Sequence, residues 1–205
     1  MRAIDGTGAI IALFTYDDIA PWPLAPDGVG PALVLRASNL DPSVAANWRA
    51  SFSIGGKPGA PDVLTVADWR AQYFSAADLA DPAKEATVWG HFADLDADGF
   101  SNALEYALGG SPTNSASHPD IVTSLFASAP DAHFLRETYR LREGTTGLEI
   151  SPQLSSDLAA WGTGTTLIGG PVSQGDGTAL VTVQDNISVE TAPAGRRFLR
   201  LLISF

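Results

Sequence analysis

The sequence predicts a mainly β protein with a small helical insert: a partial β-sandwich, a helix–loop–helix segment and a second small β-sandwich. Short apolar segments with β-branched residues, separated by glycine- and proline-rich turns, fill residues 1–62 and 131–205. Residues 63–112 instead show helical spacing of apolar side chains. Residues 113–130 are rich in Ser, Ala, Asn and Pro, which is typical of a linker.

Composition excludes several classes of function. The chain has 205 residues, of which 45% are hydrophobic and 17% charged, so it can bury a core. Its net charge of −11 disfavours binding to nucleic acid, whose phosphates it would repel. No apolar run is long enough to span a membrane. The absence of cysteine excludes disulfides, thiolate metal sites and a cysteine nucleophile.

The first block is predicted to contain strands at residues 9–16 and 32–36. We interpret the apolar run at 9–14 as a buried strand rather than a signal peptide, because Asp5 precedes it and no small-residue cleavage site follows. An export signal is therefore expected upstream of this chain. The Pro- and Gly-rich stretch between the two strands suits the joints of a β-sandwich.

Several motifs of this block together resemble the second half of a bacterial lamin tail domain, over about residues 1–60. They are Tyr16-Asp17-Asp18, Pro21-Trp22-Pro23, Asp27-Gly28-Val29-Gly30, Leu33-Val34-Leu35, Asn47-Trp48-Arg49-Ala50-Ser51 and Gly55-Gly56-Lys57-Pro58-Gly59. The resemblance implies an immunoglobulin-like β-sandwich. Since the first half of that domain has no counterpart here, another segment is expected to complete the sheet.

The middle block is predicted to hold three short helices. Thr65 caps the first, which places Trp69 on its apolar face, and Ser75 caps a second turn that ends near Pro82. The third runs from Asn102 to Leu108 and stops at a Gly-Gly pair. We expect the first and third helices to pack together.

Between these helices, residues 94–105 carry oxygen-bearing side chains at loop positions 1, 3, 5, 9 and 12, with glycine at position 6. This spacing is typical of a twelve-residue calcium loop, because a hard cation takes six to eight oxygens. The ligands predicted for Ca²⁺ are Asp94, Asp96, Asp98, the carbonyl of Phe100, Asn102 and Glu105. An acidic surface turn is the alternative, and Mg²⁺ fits less well because it demands a tighter octahedron.

The loop lacks the features of a calcium sensor. Ser101 stands where paired loops carry a branched apolar residue, and the chain has no second loop of this kind. The ion is therefore expected to be static and structural. Together with Asp68-Trp69-Arg70, Tyr73-Phe74, Tyr106-Ala107-Leu108-Gly109 and Ser111-Pro112, the loop resembles thrombospondin type 3 and dockerin calcium units of secreted bacterial proteins, over about residues 64–113.

The last block is predicted to be all-β. Strands are expected at 135–141, 148–150, 179–183 and 198–203, with glycine-rich turns between them. The connector at 155–161 resembles the Ser-x-Asp-Leu-x-x-Trp motif that follows the calcium unit in the same secreted proteins. We interpret the arginines of this block as a solvated strand face, with an anion- or polysaccharide-binding patch as the alternative: Arg136, Arg140, Arg142, Arg196, Arg197 and Arg200.

No catalytic constellation is predicted. His91, His118 and His133 have no metal-binding spacing, and the chain lacks a Gly-x-Ser-x-Gly motif. The acidic pair Asp17-Asp18 would point to opposite faces of a strand. We therefore expect a protein that is not an enzyme.

These observations favour a calcium-stabilised, extracellular or cell-surface module of a larger secreted bacterial protein. It would act as a spacer or attachment piece whose partners are Ca²⁺ and a surface protein or polysaccharide. The alternative is a carbohydrate-binding accessory region, or the C-terminal tail of a secreted hydrolase. An exposed, coplanar pair of aromatic rings would favour that alternative.

Overall fold

The computed structural model describes residues 2–4, 6–28, 30–174 and 176–205. The protein is mainly β, with 33% strand and 17% helix, as the sequence predicts. It divides into two compact units: residues 1–64 with 175–177, and residues 65–174 with 178–205. No helix in the described ranges combines the length and apolarity needed to cross a membrane.

The first unit contains two antiparallel strand pairs. Strand β1 (Arg2–Ile4) pairs with β2 (Ile10–Leu13), and β3 (Pro31–Leu35) pairs with β4 (Trp48–Ile54). The prediction of a buried strand at 9–14 is wrong in its burial for Ile10 and Leu13, which are 54% and 65% exposed, whereas Phe14 is buried. The reason is that β2 pairs with β1 alone in the described residues.

Aromatic rings form the small apolar centre of the first unit. The ring of Trp48 lies 4.9 Å from that of Phe14 and 6.2 Å from that of Trp22, measured between centroids. The guanidinium of Arg49 pairs with the carboxylate of Asp62 and stacks on the ring of Phe52, 4.0 Å from its centroid.

The helices of the second unit agree with the sequence prediction. They are α1 (Val66–Tyr73), α2 (Ala76–Ala80) and α3 (Asn102–Leu108). The hydroxyls of Thr65 and Ser75 accept hydrogen bonds from the third residue after each, which caps α1 and α2. A 3₁₀ turn at Pro82–Lys84 and a π-helical turn at Glu85–Trp89 lead toward the acidic loop.

The strands of the second unit form two sheets in the described residues. The strands are β5 (Ile121–Ala129), β6 (Ala132–Arg142), β7 (Glu149–Ser155), β8 (Thr165–Leu167), β9 (Val172–Ser173), β10 (Thr178–Asp185) and β11 (Phe198–Ser204). One sheet has the order β5-β6-β10-β8, with β9 also paired to β10, and the other sheet joins β7 to β11.

The core of the second unit draws on both sheets and on α3. Its buried members are Ala107 and Leu108 of α3, Tyr139 of β6, and Val181 and Val183 of β10. Side chains of β7 and β11 pack against this cluster, including those of Ile150, Leu199, Leu201 and Ile203. Helix α3 is therefore part of the β core rather than a separate insert. Tyr106 of α3 also contacts Trp69 of α1, at 5.6 Å between ring centroids, so the predicted packing of these two helices is confirmed.

The prediction of a linker at 113–130 is wrong for residues 121–129, which form β5. This strand pairs with β6 along its whole length. Because β5 is exposed on both faces, it can hold small and polar residues. Its composition therefore resembles that of a linker, which explains the wrong prediction.

The prediction of a solvated arginine face is wrong for Arg142 and Arg197. The side chain of Arg197 is 9% exposed and donates to both carboxylate oxygens of Asp185, at 2.6 and 3.0 Å. Asp185 is fully buried and also accepts from the backbone N–H of Ile187. This bidentate pair fixes the end of β10 next to the start of β11. Sequence spacing alone does not reveal such a pairing.

We predict that Arg197→Ala lowers the free energy of unfolding by about 3–5 kcal/mol, because it leaves the Asp185 carboxylate buried without its counter-charge. Arg200→Ala is the matched control. Arg200 is exposed, bonds Gln153 and stacks on Trp161, so its loss is expected to cost about 1 kcal/mol or less. Urea unfolding of both variants measures the difference, and equal losses would contradict a structural role for the pair.

Candidate metal centre

The acidic loop at residues 94–105 is closed at its base by backbone hydrogen bonds. The N–H of Asn102 donates to the carbonyl of Ala93 at 2.8 Å, and that of Ala103 donates to the carbonyl of His91 at 3.0 Å. These bonds join the first turn of α3 to the segment before the loop. Both ends of the loop are therefore held together by the fold.

Within the loop, aspartate side chains bind the backbone and shape the turn. The carboxylate of Asp94 accepts from the N–H groups of Asp98 and Gly99, at 3.2 and 3.0 Å. Asp98 accepts from the N–H of Phe100 at 2.8 Å. Gly99 has a φ of +92°, a left-handed conformation in which a side chain is strained, so the glycine at position 6 is required by the turn.

Three of the predicted ligands are brought together. One carboxylate oxygen from each of Asp94, Asp96 and Asp98 lies within 4.8 Å of the other two. Glu105 lies outside this three-residue cluster, although its carboxyl group senses the charge of all three. An exposed acidic cluster of this kind occurs without a metal in many proteins, so the cluster alone does not identify a site.

The buried ligands are more informative. Glu105 is 0% exposed and Asn102 is 1% exposed. The amide nitrogen of Asn102 donates to the carbonyls of Val88 and Gly90, at 2.8 and 2.9 Å, which fixes the orientation of the amide. The side-chain oxygen of Asn102 and both carboxylate oxygens of Glu105 then have no hydrogen-bond partner.

Asp96 and Asp98 add further unpaired acceptors. Both carboxylate oxygens of Asp96 and one of Asp98 are buried without a donor. Six oxygen atoms of four predicted ligands are thus buried and unpaired, and all of them are acceptors. Leaving a buried acceptor unpaired costs about 1–3 kcal/mol, and more for a charged group. Carboxylate and amide oxygens without donors are the acceptors that a hard cation takes as ligands, so the chemistry of the residues present fits the predicted metal.

The electrostatics of Glu105 lead to the same conclusion. Burial, reinforced by the charges of Asp96, Asp98 and Asp94, raises the pKa of this carboxyl from its ordinary value of 4.5 to about 8. Arg142 opposes the shift and does not cancel it. Without a cation, Glu105 therefore holds a proton at neutral pH.

Phe100, the predicted carbonyl ligand, also contributes through its side chain. Its ring stacks on the imidazole of His118, with centroids 5.9 Å apart and an interplanar angle of 10°. Metal binding by its carbonyl oxygen stays a prediction.

Arg142 is a supporting residue that sequence reasoning missed. Its guanidinium donates to the carbonyls of Tyr106, Glu105 and Gly110, at 2.9, 3.2 and 2.7 Å. These groups lie at the C-terminal end of α3, where helix carbonyls lack partners of their own. Arg142 ends β6, so it ties the helix that carries Glu105 to the β-sheet.

The hydroxyl of Tyr106 makes a second connection between α3 and the sheet. It donates to the carbonyl of Thr146 at 2.9 Å and accepts from the N–H of the same residue at 3.2 Å. Thr146 lies in the connection between β6 and β7. The sequence analysis carried no signal for this bond, because the two residues lie 40 positions apart.

The histidines have separate environments in the described residues. His91 contacts the ring of Phe205 at 4.0 Å, and its pKa is lowered, chiefly by burial. His133 pairs with the carboxylate of Glu190 at 2.6 Å. Neither belongs to a metal-ligating group with other described residues.

No protein-family model, curated protein or solved structure matches this chain. Its function is therefore inferred from the geometry of the acidic loop and its surroundings.

We predict that Ca²⁺ binding at pH 7 releases close to one proton per ion, because Glu105 must ionise to act as a ligand. Between pH 4.5 and about 8 the folded, metal-free protein binds more protons than the unfolded chain, so its stability falls as pH rises through this window. Calcium affinity is expected to rise over the same range. Calorimetric titrations in two buffers of different ionisation enthalpy measure the release, and identical enthalpies would contradict it.

Proposed function

We propose that this protein is a calcium-stabilised, non-catalytic module of a larger secreted or cell-surface bacterial protein, with a spacer or attachment role. One observation carries the proposal: the fully buried carboxylate of Glu105 has no partner and lies in the field of three aspartates. A protein interior does not tolerate such a charge without a cation or a proton.

Calcium fits the donor set better than magnesium does. The predicted ligands are carboxylate, amide and carbonyl oxygens, which suit a hard cation. Ca²⁺ accepts six to eight of them in an adaptable shell, whereas Mg²⁺ keeps several waters and demands a near-ideal octahedron. Six buried unpaired oxygens on one short loop and its helix are all of the type that Ca²⁺ prefers.

The ion would act by stabilising the fold. Ca²⁺ held by Glu105 would fix the first half of α3, while Arg142 and Tyr106 hold the same helix against β6 and the β6–β7 connection. Ala107 and Leu108 of this helix belong to the core of the second unit. Metal binding would therefore stabilise the β core as well as the loop.

The finer architecture is part of the same proposal. We infer that the first unit belongs to an immunoglobulin-like sandwich of the lamin tail type, that residues 64–113 form a thrombospondin type 3-like unit, and that the strands of the second unit form a small sandwich. The packing of β7 and β11 side chains against a cluster from β6, β10 and α3 supports the last point. Extracellular location is part of the proposal, because calcium loops of extracellular modules bind the ion with dissociation constants of about 10⁻⁴–10⁻³ M.

The geometry does not favour the carbohydrate-binding alternative. The aromatic contacts described in the first unit join rings inclined by 32° to 70°, whereas a sugar platform needs coplanar exposed rings. In the second unit, Arg200 already covers the ring of Trp161, with its guanidinium 4.1 Å from the ring centroid.

We predict that Glu105→Gln abolishes the rise in melting temperature that Ca²⁺ causes. At 100 times the dissociation constant this rise corresponds to about 2.7 kcal/mol in the unmodified protein. In excess EGTA at pH 8, the variant is expected to melt no lower than the unmodified protein, because the substitution removes a buried charge that the aspartates repel. This second result separates loss of the ligand from general damage to the fold.

Glu149→Gln is the matched control, since Glu149 is an exposed carboxylate at the start of β7. It is expected to keep the full calcium response, and MgCl₂ is expected to give a much smaller one in every protein. An undiminished calcium response in Glu105→Gln would place the ion elsewhere in the chain.

A further inference from the structure

Strand β5 is exposed to solvent although it carries several large apolar side chains. All nine of its residues are exposed, on both faces of the sheet. Yet the strand carries large apolar side chains on each face: Ile121 and Leu125 on one, Val122 and Phe126 on the other. Val122 and Leu125 are 60% and 61% exposed. A strand that is apolar on both faces is typical of the interior of a sheet.

The outer edge of β5 is also unpaired. Within the described residues, β5 pairs with β6 alone and stands at the end of its sheet. Proteins commonly protect such an edge with charged residues or proline, and β5 contains neither. At about 3.4 Å per residue, the free edge is about 30 Å long. In the described residues, the opposite end of the same sheet has only the short strands β8, of three residues, and β9, of two.

The sequence of β5 is complementary to its own reverse. If two copies run antiparallel with Leu125 facing Leu125, each larger side chain on one strand meets a smaller one on the other. Ser124 meets Phe126, and the outer pairs are Thr123 with Ala127, Val122 with Ser128 and Ile121 with Ala129. Paired residues share a face, and no like charges oppose each other despite the net charge of −11.

The backbone of β5 is compatible with this register. Its pairing with β6 is regular from Ile121 to Ala127 and shifts only between Ala127 and Ala129. The five central positions, Thr123 to Ala127, are symmetric about Leu125 and lie entirely within the regular part. On one face, the guanidinium of Arg136 lies 3.5 Å from the ring centroid of Phe126, which places this ring in a fixed position.

We propose that β5 is a homodimerisation surface, on which a second copy of this chain adds its own β5 in antiparallel orientation about Leu125. The two sheets would become one continuous sheet across a two-fold axis, and the interface would be isologous. The five central positions, which lie in the regular part of the strand, would supply about five backbone hydrogen bonds. Because a strand edge is a small interface, the dimer is expected to be weak and dependent on concentration. The proposal does not depend on the calcium site.

The absence of cysteine from the chain allows a direct test of this register. In Leu125→Cys the two introduced thiols would face each other at a separation that a disulfide can bridge. In Val122→Cys they would lie about 20 Å apart, since each would oppose the partner's Ser128. Mild oxidation in CaCl₂ followed by non-reducing electrophoresis is therefore expected to give a covalent dimer for Leu125→Cys, and at least tenfold less for Val122→Cys.

Sedimentation of the unmodified protein tests the dimer without cross-linking. The mass is expected to rise from the monomer value of 21.4 kDa toward twice that value as concentration increases. Leu125→Lys, which would place two like charges opposite each other, is expected to weaken association at least about tenfold. Val172→Lys, at a 61% exposed position on β9, is the control and is expected to associate normally.

Three results would contradict this dimer. A monomer at every concentration, equal cross-linking of Leu125→Cys and Val122→Cys, or undiminished association of Leu125→Lys would each overturn the proposal. Circular dichroism verifies the fold of each variant. If Leu125→Lys unfolds, cross-linking of the two cysteine variants still tests the proposal.

Discussion

The buried carboxylate of Glu105 is the constraint on which the second unit depends. It lies on α3, whose other side chains fill the core between the two sheets, and three aspartates raise the energy of its charged form. The fold can relieve this in two ways, by protonating the group or by binding a cation. Stability, pH response and the proposed metal binding therefore all involve one side chain, because moving it out of the interior would take the helix with it.

Arg142 holds the same helix from the opposite end. It satisfies three carbonyls around the end of α3 and belongs to β6, which runs through the middle of the larger sheet. The positive charge lowers the pKa of Glu105 only in part. The acidic loop thus lies at the start of this short helix, and the guanidinium of Arg142 lies at its end. A positive charge at the C-terminal end of a helix interacts favourably with the helix dipole.

Local sequence signals identified the helices and most strands because each signal acts over a few residues. Thr65, Ser75 and the Gly-Gly pair after Leu108 set the helix ends through bonds to neighbouring backbone groups. The spacing of the acidic loop likewise identified the candidate ligands, since a twelve-residue loop carries its own geometry. The signals failed for β5, where composition typical of a linker concealed a strand that the hairpin with β6 stabilises.

The sequence by itself determined the β-rich class, the helix boundaries and the set of candidate oxygen ligands, all of which depend on neighbours along the chain. Only the tertiary structure decided that the side-chain oxygens of Glu105 and Asn102 are buried without partners, that Arg142 and Arg197 are half-buried while Arg200 is exposed, and that β5 has a free edge within the described residues. The physical reason is that burial and pairing depend on residues distant along the chain, 37 positions away for Arg142 and Glu105 and 12 for Arg197 and Asp185. No local pattern carries that information.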